Sequence, residues 1–246
     1  MYDFNGKIIV VTGAAQGLGK SIAERFLKDG AEGVAFLDLK EDTLSATVQE
    51  LDPSGDRALA VACNVADPDS VAKAFEAVRN RFGRVDVLVN NAGITRDALV
   101  HKMTNEQFDM VLKVSLYGTF YCVKEVINGM REQGHGRIIS MSSLAHRGNV
   151  GQANYAAAKA GIIGLTKTLA MELGSKNVTV NCIAPSLINT DIIKTVPDKV
   201  KESMTAAVPL RRVGEPEEVA DLVAYLASDE AGYISGQCVN ITGGWW

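Results

Sequence analysis

Basic residues, cysteines and long apolar runs are all scarce in this 246-residue chain, and each shortage removes a class of function. Lys and Arg number 25 against 29 Asp and Glu, a formal charge of −4, which leaves no electrostatic footprint for nucleic acid or an anionic membrane surface. No apolar run reaches the roughly 18 residues of a membrane span. The opening MYDFNGKIIVV lacks the charged start and long apolar stretch of a secretory signal. The four cysteines, Cys63, Cys122, Cys182 and Cys238, are scattered without a CxxC pair, and His101, His135 and His146 are equally dispersed. Zinc-ligand spacing is therefore absent and no metal site is expected. The cysteines read as small core hydrophobes in a reducing, cytoplasmic setting.

What is present is a strong alternation. Hydrophobic residues make up 47% of the chain and charged ones 22%, the balance of a globular protein with a sizeable core. Strand-length apolar runs recur at 7–12, 33–38, 58–63, 85–90, 136–142, 178–184 and 238–242. Their near-continuous hydrophobicity predicts strands buried on both faces, as in a parallel sheet. Helix-period stretches lie between them, among them 17–29, 67–82, 106–132, 155–174 and 215–228. DPDS at 67–70 and GEPEE at 214–218 have the early proline and acids of helix starts. End to end, this predicts one α/β domain over 1–246, a doubly wound parallel sheet of about seven strands flanked by helices. The proline-interrupted stretch 186–212 is the exception and reads as a substrate lid or an irregular excursion.

Two stretches carry chemistry. TGAAQGLG at 12–19 follows the first strand and opens the first helix, with Gly13, Gly17 and Gly19 letting backbone approach backbone and ligand closely. A pyrophosphate can then sit at the positive helix N-terminus. Asp38 ends the second strand, 19 residues beyond Gly19, where an acid can bind adenosine ribose hydroxyls. A carboxylate there repels a 2′-phosphate, and Gln16 and Leu39 offer no cation to attract one, so NAD is expected over NADP. Lys40 stands close by as the opposing charge. GQANYAAAKAG at 151–161 sets Tyr155 and Lys159 four apart in a run of alanines, on one helix face with room beside them. Alone, such a pair is an ordinary helix with an exposed lysine.

Together the motifs resemble the short-chain dehydrogenase/reductase family over essentially the whole chain. The carriers are TGAAQGLG, NNAG at 90–93, the serine pair 142–143 and YAAAK at 155–159. VLVNNAGITRD, GQANYAAAKAGIIGLTK, VTVNCIAP and GEPEEVA are similar to the 3-oxoacyl-(acyl-carrier-protein) reductase branch. The resemblance implies a Rossmann-type fold and an NAD(H)-dependent oxidoreductase working on a secondary alcohol or ketone of 3-oxoacyl/3-hydroxyacyl type. A small secondary alcohol, polyol or sugar is the alternative substrate. Tyr155 would be the general acid/base, with Lys159 and a positive nicotinamide ring drawing its pKa down toward working pH. Lys159 would also bind the nicotinamide ribose. The implied cofactor contacts are Thr12, Gly13, Gln16, Gly17, Leu18 and Gly19 in the first turn, then Asp38, Asn64 and Val65. Asn90, Ala92 and Gly93 follow, with Tyr155 and Lys159, and lastly Pro185, Ile188 and Thr190.

A serine at the end of the fifth strand holds the substrate oxygen in the family. Register from GRIIS selects Ser143, since adjacent strand residues face opposite ways. Counting back from Tyr155 by the usual spacing selects Ser142 instead. Ser115 stands where the family has an asparagine whose carbonyl holds a relay water, and a serine carbonyl can do the same. Asn64 replaces an aspartate that accepts from adenine, and Ser186 replaces a glycine beside the nicotinamide. Leu144, His146, Gln152, Ser186 and Leu187 are the expected substrate contacts, with Arg96, Arg147, Asn149, Val150 and Ile188 nearby. Branch positions that present basic residues to an acidic carrier are Gly134 and Lys176 here, so one cation is missing, which favours a smaller or CoA-bound acyl thioester. A homotetramer through 106–132 and 155–174 is implied, with a dimer as the other possibility. Trp245 and Trp246 are expected to anchor a subunit interface, Trp246 alternatively to wall the pocket. A non-catalytic dinucleotide-binding protein is the competing reading, and only Ser115 supports it.

Overall fold

Seven strands form one all-parallel sheet: β1 (Ile8–Thr12), β2 (Gly33–Asp38), β3 (Ala58–Ala62), β4 (Val87–Asn90), β5 (Gly136–Met141), β6 (Val178–Pro185) and β7 (Cys238–Ile241). Their spatial order is β3-β2-β1-β4-β5-β6-β7, the doubly wound arrangement that the alternation predicts. The computed structural model describes residues 2–190 and 198–245. The expected lid is outside the described residues over 191–197, as is Trp246.

The apolar runs are continuous because both sheet faces are covered. Along β1, Ile9 and Val11 enter one core with Phe26, Phe36 and Val223, while Val10 enters the other with Phe75, Leu88 and Ile138. The first core lies under helices α1 (Gly17–Lys28) and, near the C-terminus, Pro216–Ala227. The second lies under α3 (Pro68–Phe82), α5 (Gly118–Gln133) and α6 (Ala153–Leu173). Helix starts follow local chemistry: the Asp67 carboxylate accepts from the Asp69 amide with Pro68 behind it, and Thr104 and Gln107 form a reciprocal capping box.

Three differences from the sequence reading stand out. A helix α2 (Glu41–Leu51) fills the interval after β2 that the periodicity left unassigned. The 106–132 helix is broken: α4 (Asn105–Leu112) passes through a π-helical turn at Lys113–Tyr117 into α5. Within the expected lid, Asp198–Ala207 is helical (α7), and Pro216–Ala227 follows as α8.

The order reverses between β1 and β4, so the loops after these two strands diverge and leave a crevice at their carboxyl ends. The candidate site opens there.

Candidate active site

One cleft of about 720 Å³ runs from the glycine turn after β1 to the loops after β5 and β6, a volume suited to a sizeable small molecule. At one end, Gln16 caps α1 without a side-chain hydrogen bond, so the first-turn N–H groups keep their positive end toward the cleft. Gly13 has φ +65°, a conformation that favours glycine. A Cβ on Gly19 would lie 2.1 Å from the Gly13 carbonyl oxygen, so helix and turn can close only on a glycine.

Asp38 borders the same end. Its Oδ2 accepts from the Ala15 amide (3.1 Å) and its Oδ1 from the Lys40 amide (3.0 Å), fixing the carboxylate between glycine turn and α2. Leu39 points away, 70% exposed, whereas Lys40 lines the cleft. The Thr47 hydroxyl donates to the Ala15 carbonyl (2.7 Å) and pins α2 beneath the turn.

The next wall is the loop after β4. Thr12 Oγ1 accepts from the Asn91 and Ala92 amides (3.0 and 3.1 Å), and Asn91 Nδ2 donates to the Thr12 and Gly13 carbonyls (3.0 Å each). The two phosphate-side loops are thereby one rigid unit. Asn91, which the motif reading leaves unassigned, is its main staple. Asn90 Nδ2 donates to Ser140 Oγ (3.2 Å), which places Asn90 behind the cleft wall.

Tyr155 and Lys159 line the other end of the cleft. Lys159 is buried, and its Nζ donates to the Met141 carbonyl (2.6 Å) while standing 5.4 Å from the Tyr155 ring centroid. Burial pushes the ammonium down to about 8. Burial also pushes the Tyr155 phenol above its usual value, opposed by the Ser143 side chain and assisted by the Asp97 charge. In the protein alone, burial outweighs the expected lowering. Tyr155 is thus held protonated at neutral pH.

The serine pair splits as strand parity requires. Both border the cleft, but Ser142 Oγ is engaged inward, donating to the Lys159 carbonyl (2.9 Å), while Ser143 stands beside Tyr155 and accepts from the Ala145 amide (3.2 Å). Ser115 lies in the π-helical turn, wholly buried, and its carbonyl accepts from Thr119 Oγ1 (2.9 Å). Among the described residues its hydroxyl has no hydrogen-bond partner. A Cβ at Gly93 would lie 3.4 Å from both Ser115 Oγ and Lys159 Nζ, so all three residues meet at one point.

Leu18, Leu144, Gln152, Pro185, Ser186, Leu187, Ile188 and Thr190 all reach the cleft. Several expected contacts do not. His146 turns back, its Nδ1 donating to the Ser143 carbonyl (2.7 Å). Asn64 spends its Oδ1 on the Ala66 amide (3.1 Å), Val65 packs on Gly118, and Thr12 acts only through the loop it holds. Val150 is 87% exposed and Arg96 bonds the Thr95 carbonyl (2.8 Å) at the surface. Arg147 and Asn149 line the cleft, as do Met204 of α7 and Trp245, neither of which the sequence marks as a pocket residue.

These residues fit a dinucleotide. The open α1 terminus suits a pyrophosphate, the fixed Asp38 carboxylate suits ribose hydroxyls, and the Ser143–Tyr155–Lys159 cluster suits a reacting carbinol. Among the described residues no group of three His, Cys, Asp or Glu is placed to hold a metal, and no helix is long and apolar enough to cross a membrane.

A family model described as enoyl-(acyl carrier protein) reductase matches residues 13–246. The chain is 43% identical over 240 residues to the 3-oxoacyl-[acyl-carrier-protein] reductase FabG of Thermotoga maritima, covering 97% of each. It is 42% identical over 243 residues to the protein of that name in Vibrio cholerae, covering 98% of each. Against that of Staphylococcus epidermidis it is 43% identical over 239 residues, covering 97% of this chain and 98% of the other.

Proposed function

The chain belongs to the short-chain dehydrogenase/reductase family, an oxidoreductase of CH–OH and ketone groups that binds a nicotinamide dinucleotide, and from that premise we propose an NAD(H)-dependent 3-oxoacyl/3-hydroxyacyl thioester oxidoreductase. The observation that carries the reading is the convergence of Ser143, Tyr155 and Lys159 on the wall of the cleft that Asp38 also lines.

When bound, the nicotinamide supplies or accepts the hydride. The chain does the rest. Ser143 holds the substrate oxygen, and Tyr155, protonated in the resting protein, gives that oxygen its proton during reduction and retrieves it during oxidation. Lys159 keeps a cation beside the phenol as negative charge grows there, with Met141 fixing its position. Ser142 ties α6 to the end of β5 through the Lys159 carbonyl. Gly13, Gln16, Gly17, Leu18, Gly19, Ala92 and Gly93 would hold the phosphate side, Pro185, Ile188 and Thr190 the nicotinamide side.

NAD over NADP rests on Asp38. Its carboxylate is anchored by two amides and cannot swing aside for a 2′-phosphate, whereas Lys40 gives only one flexible opposing charge. The substrate class comes from the relatives' names. A CoA thioester or a smaller alcohol is favoured over a carrier-bound chain by the −4 charge and by Gly134, a left-handed helix cap without a side chain. The segment 186–212 would act as the lid, the assembly would be a homotetramer, and the setting cytoplasmic.

The test mixes purified protein with NAD⁺ or NADP⁺ and a panel of 3-hydroxyacyl thioesters and secondary alcohols, reading reduced cofactor by absorbance. Turnover with NAD⁺, lowered roughly 10²-fold or more in Tyr155→Phe while cofactor binding persists, is expected. Tyr155→Phe with unchanged turnover removes the enzyme reading, and a preference for NADP⁺ removes the Asp38 argument.

A further inference from the structure

Cys182 of β6 and Cys238 of β7 are register partners in adjacent parallel strands, so their side chains leave the same face of the sheet. Cα atoms so paired are about 4.8 Å apart, inside the roughly 4.4–6.8 Å that a disulfide spans. The two thiols are close enough to shift each other's titration, and Thr166 of α6 stands beside Cys182. The sequence reading of four scattered core hydrophobes therefore misses a dithiol that the sheet assembles from residues 56 positions apart.

We infer that Cys182 and Cys238 form a peroxide-reactive pair, with Cys238 the attacking thiol and Cys182 the resolving one. The roles follow from position. Cys238 is half-buried on the edge strand, where an oxidant can reach it, whereas Cys182 is fully buried. The charged groups near the pair are Lys167 of α6 and Arg147 of the loop after β5, both of which favour thiolate at Cys238, and Lys159 of α6, which interacts with Cys182. Cys182 itself exerts the largest effect, and with Lys167 and Arg147 it brings Cys238 to about 7, while Cys182 is pushed up in return. The remaining thiols serve as internal controls. Burial pushes Cys63 up to about 11 and Cys122 beyond it.

The chemistry needs only hydrogen peroxide. The Cys238 thiolate attacks one peroxide oxygen, the O–O bond breaks, and hydroxide leaves with sulfenic acid on Cys238. Cys182 Sγ then attacks Cys238 Sγ, an S–S bond forms, the S–O bond breaks, and water departs. Overall the dithiol loses two electrons and two protons and the peroxide becomes two waters. Thiol–disulfide exchange with a small dithiol returns the pair to its reduced form. The site does not depend on the reading of the cleft.

Native protein is treated briefly with hydrogen peroxide, denatured, alkylated and mapped without reduction. A Cys182–Cys238 linked peptide, reversed by dithiothreitol, is expected while Cys63 and Cys122 remain alkylatable. Cys238 should react faster than Cys63 by roughly two orders of magnitude at neutral pH, its larger thiolate fraction being partly offset by weaker nucleophilicity. Cys182→Ala should leave a sulfenic acid on Cys238 that dimedone traps, and Cys238→Ser should leave Cys182 alkylatable after peroxide. Oxidation of Cys63 as fast as Cys238, or loss of the Cys238 thiol in wild-type protein without a link to Cys182, overturns the inference. Both readouts use wild-type protein and need no variant to fold.

Discussion

Two adjacent serines with different partners make opposite predictions for turnover. Ser142 Oγ donates to the Lys159 carbonyl in a buried setting, so Ser142→Ala should cost about 1 kcal/mol of stability while leaving turnover nearly intact. Ser143 faces the cleft beside Tyr155, so Ser143→Ala should lower kcat by roughly 10²-fold or more, at a stability cost of about 1 kcal/mol from losing the bond to the Ala145 amide. Denaturant titration and steady-state kinetics on the two variants read this directly, and reversed results would hand the substrate oxygen to Ser142. Lys159 makes a second prediction through its burial. The folded ligand-free protein holds this ammonium at about 8, against 10.5 for a free lysine. Between those values the unfolded chain binds the extra proton, so Lys159 makes stability rise with pH, by at most about 1.4 kcal/mol per unit. Above about 10 the sign turns, because Tyr155 keeps a proton that an exposed phenol loses. The difference in unfolding free energy between wild type and Lys159→Met, followed from pH 7 to 10, isolates the lysine from Cys238 and other titrating groups. A difference flat from pH 8 to 10 would mean the ammonium is not destabilised by its burial.

At the scale of elements, the π-helical turn between α4 and α5 sets the floor behind Lys159. It buries Ser115, engages its carbonyl with Thr119 Oγ1 and leaves its hydroxyl unpaired among the described residues. Removing an unsatisfied buried hydroxyl costs little, so Ser115→Ala should fold with stability equal to or above wild type. Its turnover should stay within about tenfold, below the 10²–10⁴ range of a proton-transferring group. A hundredfold loss at unchanged stability would instead put the hydroxyl on the proton path. This turn is also where the sequence is least legible. Lys113 to Gln133 keeps an apolar spacing that reads as one helix, and an i→i+5 turn needs only one residue more per turn than the pattern shows. Helix α2 escapes for a related reason: only Leu44 and Thr47 of its residues are buried, so its apolar stripe is too thin to see. The strands, by contrast, are legible to within two residues. Five of them, β1, β2, β4, β5 and β6, are buried runs with little polar interruption to blur their ends. The other two, β3 and β7, only partly buried, are still marked by apolar, β-forming runs. Within the cleft, residues set by a local motif, such as Gly13, Tyr155 and Lys159, can be read from spacing. Met204 and Trp245 arrive from distant elements, and no local pattern marks them.

On the scale of the whole molecule, what the described chain leaves uncovered points to assembly. Met110 of α4, Tyr117 in the π-helical turn, Phe120 of α5 and Met171 of α6 are each 45–78% exposed. Tyr117 and Phe120 also pack against Tyr121, with ring centroids 6.4 and 6.0 Å away, forming an aromatic ridge beside the small residues of α6. A monomer would hold these side chains in water, and aromatic anchors of this kind dominate subunit interfaces. The π-helical turn lies both on this ridge and against Lys159, so an assembly formed through the ridge would share one element with the chemistry. Sedimentation of wild-type protein should give a particle of four chains, and Tyr117→Glu with Phe120→Glu should shift it to a smaller species. Because each charge lands on surface that is already exposed in one chain, the smaller species should retain its helical circular dichroism. Its turnover should fall with dissociation, since the turn that supports Lys159 loses the partner packed against it. Wild-type protein sedimenting as a single chain would sever this link and leave the ridge without an assembly role.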